Sequence, residues 1–355
     1  MEPQIKTLKG TPKHLSRTGM LDGFTYLMVN LPYECNYRCR KCFNRNDNAP
    51  FTGHGTLVDE GSDLRDMHLE ERLRVIREAK TLGGKAVVIA GEGEPSLHPD
   101  IRNLVSEIHS LGMVPIIYSN GSTLTPELVE FYLERNAALV IAFDTLDPAR
   151  YNCLTGTTGM YHTAVANIKN AIARFNAKTY VQDGMRIFGI AINTTVSGIN
   201  AGEVAQIKAF WGDDVYFICN PLAKLGNAEG NWDALMTPGI SIEEQQRLIA
   251  GLSESGGPLT LGSDGLCGYS SWGIGVSPTG EYMTCAYTDK TTGLLGSIMT
   301  ASLAEAFEAK HRLESGHYAR FGAIPCLVRA PSFEGYLVSL QAHRSIQKAR
   351  RHEQM

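Results

Sequence analysis

Residues 24–42 read FTYLMVNLPYECNYRCRKC, a strand candidate that runs straight into a loop carrying Cys35, Cys39 and Cys42. Downstream, the same strand-then-helix rhythm recurs. Residues 68–82 show helical spacing, with Leu69, Leu73, Ile76 and Ala79 three to four apart, and Gly83-Gly84 ends the run. AVVIA (86–90) is a short continuous apolar strand, as a sheet buried on both faces requires. A helix is expected over 99–111, the strand VPIIYS (114–119) after it, and a helix from Pro126 to about Asn136, capped by Thr125. ALVIAF (138–143), RIFGIAIN (186–193) and DVYFIC (214–219) supply three more strands, with helices over 161–175 and 201–211 between them.

Six strands alternating with helices imply parallel βαβ units with right-handed crossovers. An open doubly wound sheet and a barrel, closed or partial, both fit, and both gather chemistry at the carboxyl ends of the strands. The notable segments fall there: the cysteine loop, GEGEP (91–95), Ser119-Asn120, Asp144, Asn193 and Asn220. After residue 222 the rhythm changes. KLGNAEGN (224–231) reads as a loop and 241–253 as a helix. WGIGVSPTGEYMTCAY (272–287) reads as a hairpin turning at Pro278–Gly280, with helices over 301–313 and 333–350. The expected division is an extension at 1–23, an α/β body at 24–222, a small module at 223–332 and a helical tail at 333–355.

A net charge of −4 suggests no electrostatic grip on nucleic acid or an anionic membrane. The first residues lack the apolar core of a signal peptide, and no apolar run is long enough to span a bilayer, so a cytoplasmic protein is expected. In a reducing compartment, grouped thiols are metal ligands or catalytic groups more readily than disulfides.

Cys35-x3-Cys39-x2-Cys42 places three soft ligands in one loop, able to hold three irons of a cubane and leave the fourth open. A zinc knuckle is the alternative, but zinc favours four ligands in paired C-x2-C spacing, and the next histidine is His54. The spacing after a first strand resembles the radical S-adenosylmethionine (SAM) superfamily. That resemblance implies a partial (β/α)6 TIM-type barrel and a catalytic 4Fe–4S cluster whose open iron chelates SAM. It also implies reductive cleavage to a 5′-deoxyadenosyl radical that abstracts hydrogen. The family commonly has an aromatic before the last cysteine, touching adenine; here Lys41 stands there and Phe43 follows.

Glu92 and Glu94 of GEGEP offer acceptors for an ammonium group, and Gly91 and Gly93 allow close backbone approach ahead of Pro95. The resemblance implies that GEGEP binds the SAM amino group and Ser119-Asn120 the ribose. Asn193, Thr195 and the stretch Asn220 to Leu222 fall where the family holds the carboxylate and adenine. Asp144, in AFDTLDP (142–148), either faces substrate or caps its loop.

Cys267-x12-Gly280-x4-Cys285, the phrase LLGSIMTASLAEAF (294–307) and Cys326 resemble the SPASM/twitch extension, which implies a second, auxiliary iron–sulfur cluster. Arg329 stands where a closing C-x2-C cysteine is normally found. Cys219 is a candidate hydrogen-atom donor or a packed core thiol. The expected protein is a twitch-type oxidoreductase or epimerase for a small polar substrate. The expected substrate is a sugar, aminocyclitol or nucleoside of natural-product biosynthesis, with electrons from a flavodoxin or ferredoxin. A peptide-modifying maturase and a non-catalytic iron–sulfur or zinc protein are the alternatives.

Overall fold

The computed structural model describes residues 5–19, 23–32, 35–44, 66–237, 239–254, 271–285, 294–322, 332–333 and 335–343. The apolar runs form six parallel strands laid side by side in chain order. These are β2 (Tyr26–Leu31), β3 (Ala86–Gly91), β4 (Val114–Ser119), β5 (Ala138–Ala142), β8 (Ile190–Val196) and β9 (Tyr216–Pro221). Among the described residues β9 does not pair back to β2, so the mixed α/β fold is a partial barrel.

Strand alternation divides the core in two. Leu27, Val29, Val87, Ile89, Ile117, Leu139, Ile141, Ile192, Phe217 and Cys219 face outward. They pack under α2 (Leu69–Thr81), α3 (Ile101–Ser110), α4 (Pro126–Glu134), α6 (Met160–Asn176) and α7 (Val204–Trp211). Each fully buried Leu, Ile or Phe contributes roughly 1.5–3 kcal/mol. Tyr26, Met28, Val88, Ile116, Val140, Ala191, Tyr216 and Ile218 fill the inner face. Thr125 caps α4 by accepting the Leu128 N–H, with Pro126 at the first helical position.

Four features differ from the sequence expectation. First, the stretch 186–193 is two strands, β7 (Met185–Phe188) and β8, broken at Gly189, where the Phe175 ring lies 2.7 Å from where a Cβ would be. Sequence 5–8 forms β1 (Ile5–Leu8), and a small sheet runs β1-β7-β6, with β6 at Tyr180–Gln182. Leu8, Phe188 and Leu15 of α1 (Pro12–Arg17) join the inner core, and the Tyr26 hydroxyl donates to the Gly10 carbonyl at 3.0 Å. The N-terminal extension therefore plugs the amino end of the barrel.

Second, α5 (Pro148–Thr155) lies between β5 and α6, capped by Asp147 and ended by Gly156 in the left-handed region. Third, the expected hairpin forms as β10 (Gly273–Val276) and β11 (Tyr282–Met283), but β10 pairs in parallel with β2. It thereby extends the main sheet. Fourth, the Gly/Asn-rich stretch is not all loop: it contains α8 (Asn227–Gly230), followed by α9 (Trp232–Met236). Then come α10 (Ile242–Leu252) and the long α11 (Leu303–Phe321). No helix among the described residues is long and apolar enough to cross a membrane.

Candidate active site

The loop after β2 is tied to the ends of β3, β4, β5 and β8 and to α5 and α8. Asn36 Nδ2 donates to Ser122 Oγ at 2.8 Å, and Asn36 Oδ1 accepts from Asn120 Nδ2 at 3.0 Å, beyond β4. Asn44 Nδ2 donates to the Gly91 carbonyl of β3 at 2.9 Å. The backbone N–H groups of Arg38 and Arg40 donate to the Thr155 and Leu154 carbonyls of α5 at 2.8 and 2.9 Å. Lys41 forms an ion pair with Asp144 and donates to Thr195 Oγ1 at 2.9 Å, reaching the ends of β5 and β8. Asn227 of α8 donates its backbone N–H to the Cys42 carbonyl at 2.8 Å. Beneath these tethers the buried Tyr37 and Tyr151 hydroxyls meet at 3.0 Å.

The three thiols are partly buried. Burial pushes the Cys35 thiol up to about 11, partly offset by the Tyr37 N–H donating to its sulfur at 3.4 Å. Burial pushes Cys39 higher still; a negative Cys42 adds to the rise and Lys41 opposes it. A thiol ligates metal only as a thiolate, so the trio ionises readily only when a cationic centre compensates the lost hydration. Iron in a cluster supplies that charge, and the donor set fits it. Among the described residues no three His, Cys, Asp or Glu side chains are gathered to hold a single metal ion.

Glu94 is held by four hydrogen bonds within the protein. Its Oε1 accepts from Ser96 N at 3.2 Å, Ser96 Oγ at 2.6 Å and Ser119 Oγ at 2.9 Å, and its Oε2 accepts from Asn120 N at 2.6 Å. A carboxylate has about four acceptor sites, and these four bonds brace the ends of β3 and β4. Burial pushes its pKa up while these donors pull it down. Gly91 is required by the turn, since a Cβ there would lie 2.5 Å from the Gly93 carbonyl oxygen. Glu92 is buried, and its N–H donates to the Leu31 carbonyl at 3.1 Å. Pro95 opens a short 3-10 turn.

On the barrel's inner face Asn220 Nδ2 donates to Asn193 Oδ1 at 2.8 Å, beside Thr195. Asp144 is paired rather than open: its second oxygen accepts the Thr195 N–H at 2.8 Å. Leu222 packs with Leu154, Ala228 and Leu235. Phe43 is half-buried in the cysteine loop. Cys219, fully buried, lies on the outward face of β9 among helix-facing side chains. That placement, away from the barrel interior, gives no geometric support to a hydrogen-donor role. Cys285 follows β11; Cys267 and Cys326 lie outside the described residues. Sequence reasoning missed Asn36, Asn44, Asn227 and the Lys41–Asp144 pairing, all contacts made between distant segments.

Residues 29–187 match the family model described as the Radical SAM superfamily. The chain is 34% identical over 192 residues to a probable GTP 3′,8-cyclase of Pyrococcus abyssi, covering 53% of each protein. It is 28% identical over 131 residues to a tungsten-containing aldehyde ferredoxin oxidoreductase cofactor-modifying protein of Pyrococcus furiosus, covering 37% of this chain and 33% of that protein. The matches thus span about half the length of the first of these relatives and a third of the second. Among solved structures, anSMEcpe with bound AdoMet aligns with a TM-score of 0.57 at 15% identity, over 81% of this chain and 82% of that one. SuiB of Streptococcus suis bound to its precursor peptide SuiA aligns with a TM-score of 0.54 at 14% identity, over 83% and 67%. These likenesses show the shared fold.

Proposed function

We propose that this chain is a radical SAM enzyme in which Cys35, Cys39 and Cys42 hold a 4Fe–4S cluster whose open iron binds SAM. When bound, the cluster supplies an electron that splits SAM into methionine and a 5′-deoxyadenosyl radical able to take hydrogen from a substrate. The observation that carries this reading is the thiol trio itself, anchored at the carboxyl ends of the strands by contacts to β3, β4, β5, β8, α5 and α8. The chain's own residues preorganise the site. Asn36, Asn44 and Asn227 fix the loop, and Glu94 locks the strand ends beside it. Asn193, Asn220 and Thr195 offer polar groups toward SAM. Phe43, Ser119 and Asn120 remain candidate contacts to its nucleoside half.

A small polar substrate suits the barrel interior. Asn30, on the inner face of β2, is fully buried, and neither of its amide atoms has a protein partner. A buried amide left unpaired costs about 1–3 kcal/mol, which a polar ligand would recover. Of the sugar, aminocyclitol and nucleoside classes, the nucleoside class is favoured, because the relatives at 27–34% identity include proteins named GTP 3′,8-cyclase. An auxiliary cluster on Cys267, Cys285 and Cys326 completes the proposal.

Anaerobic reconstitution followed by reduction with SAM tests it. Expected are about four irons per cubane and release of 5′-deoxyadenosine, abolished by Cys42→Ala. Deuterium transfer from labelled nucleosides into 5′-deoxyadenosine identifies the substrate. A protein that binds zinc and leaves SAM intact would sink the reading.

A further inference from the structure

The residue immediately before the last cysteine of the trio is a cation, and its position is fixed. Lys41 ion-pairs with Asp144 and donates to Thr195 Oγ1 at 2.9 Å, with both charged side chains largely buried. Asp144 is held in turn. Its free oxygen accepts the Thr195 N–H at 2.8 Å, and buried Asn200 donates to the Asp144 and Thr195 carbonyls, each at 2.9 Å. Asn200 Oδ1 is itself fixed by the Ser197 N–H at 2.8 Å. The carboxylate is therefore held at the ends of β5 and β8, and the ammonium is held with it, on the residue next to Cys42.

We propose that Lys41 and Asp144 exert opposite, mutually balancing effects on the reduction potential of the cluster held by Cys35, Cys39 and Cys42. This rests on the proposed cluster-binding role of that trio. Net charge near a cluster is one of the levers on its potential, and charges shielded from water act strongly on one another. A nearby cation stabilises the added electron; a nearby carboxylate opposes it. Paired, the two largely cancel. Removing either exposes the cluster to the other, so the two removals shift the potential in opposite directions. A purely mechanical staple between the loop and the rim has no such sign.

The test compares wild type, Lys41→Met, Asp144→Asn, the double variant and Lys41→Arg, each reconstituted anaerobically. Iron is quantified first, and midpoint potentials follow from dithionite titration monitored by electron paramagnetic resonance. The expected result is a lower potential for Lys41→Met and a higher one for Asp144→Asn. The double variant and Lys41→Arg should both stay near wild type. Single variants that keep their iron yet shift in the same direction, or not at all, overturn the proposal. Loss of iron from both single variants, with retention in Lys41→Arg, marks a staple and also overturns it. A wild type that assembles no cluster instead refutes the reading of the cysteine trio.

Discussion

The side-chain amide of Asn227 donates to the Cys39 carbonyl at 3.2 Å, so a residue from the region after β9 grips the loop after β2. Its backbone N–H grips the Cys42 carbonyl as well. Asn227→Ala removes the first of these bonds and keeps the second. A net hydrogen bond is worth about 1 kcal/mol, so iron loss to a chelator should accelerate about fivefold. Iron release followed by absorbance checks this, and unchanged release would show that the amide is idle.

Gly156 ends α5 with φ +63°, and a Cβ there would sit 2.6 Å from the Arg38 carbonyl oxygen. Gly156→Ala adds that backbone collision to a left-handed penalty of roughly 1–2 kcal/mol. Gly159 has φ +72° with nothing within 4 Å of its Cβ position, so Gly159→Ala carries the backbone penalty alone. Iron loading should fail in the first variant and survive in the second.

Glu94→Gln replaces a buried carboxylate that accepts four hydrogen bonds with an amide that cannot accept them all. Hydrogen bonds to charged groups are worth about 1.5–3 kcal/mol each, so stability should fall by at least about 2 kcal/mol. Chemical denaturation of the apoprotein measures this independently of any ligand. A midpoint equal to wild type would contradict the bracing role.

His14 anchors the N-terminal plug, accepting the Gly10 N–H on Nδ1 at 3.1 Å. Burial, and then the nearby Lys9, hold its pKa below the usual 6.5. The unfolded chain therefore binds the proton more readily than the folded one. The stabilisation is complete above pH 6.5 and is lost as pH falls through the folded-state value. Thermal unfolding should lose stability below pH 6.5 in wild type and less steeply in His14→Asn.

Cys219→Ala should leave SAM cleavage and turnover intact, because the thiol faces the helix layer. The cost should be about 1 kcal/mol of stability from lost packing. A variant that cleaves SAM but stalls before product would restore the hydrogen-donor role.

The strands were legible because their apolar runs are short and bounded by Gly, Pro or Asn. The cysteine loop was legible because ligand spacing is local. Helix α5 escaped notice although Asp147, Pro148 and Gly156 punctuate it, since its exposed polar face hides the helical period. The plug escaped because Ile5–Leu8 finds its partner at Met185–Phe188, and no local signal records such a pairing. Two of the donors that fold onto Glu94 come from Ser119 and Asn120, a pairing that no local signal records. Lys41 looked like a departure from a motif, while its partners lay far along the chain.

Because β10 lies against β2, the first strand of the barrel keeps a bare hydrogen-bonding edge on the ribosome until residues 273–276 emerge. An unpaired edge is a template for other chains, and such long-range pairings close slowly. Expression at low temperature, or with chaperones that shield nascent chains, should favour recovery of this protein. Truncations that stop short of Gly273 should precipitate even though all six strands of the partial barrel are present.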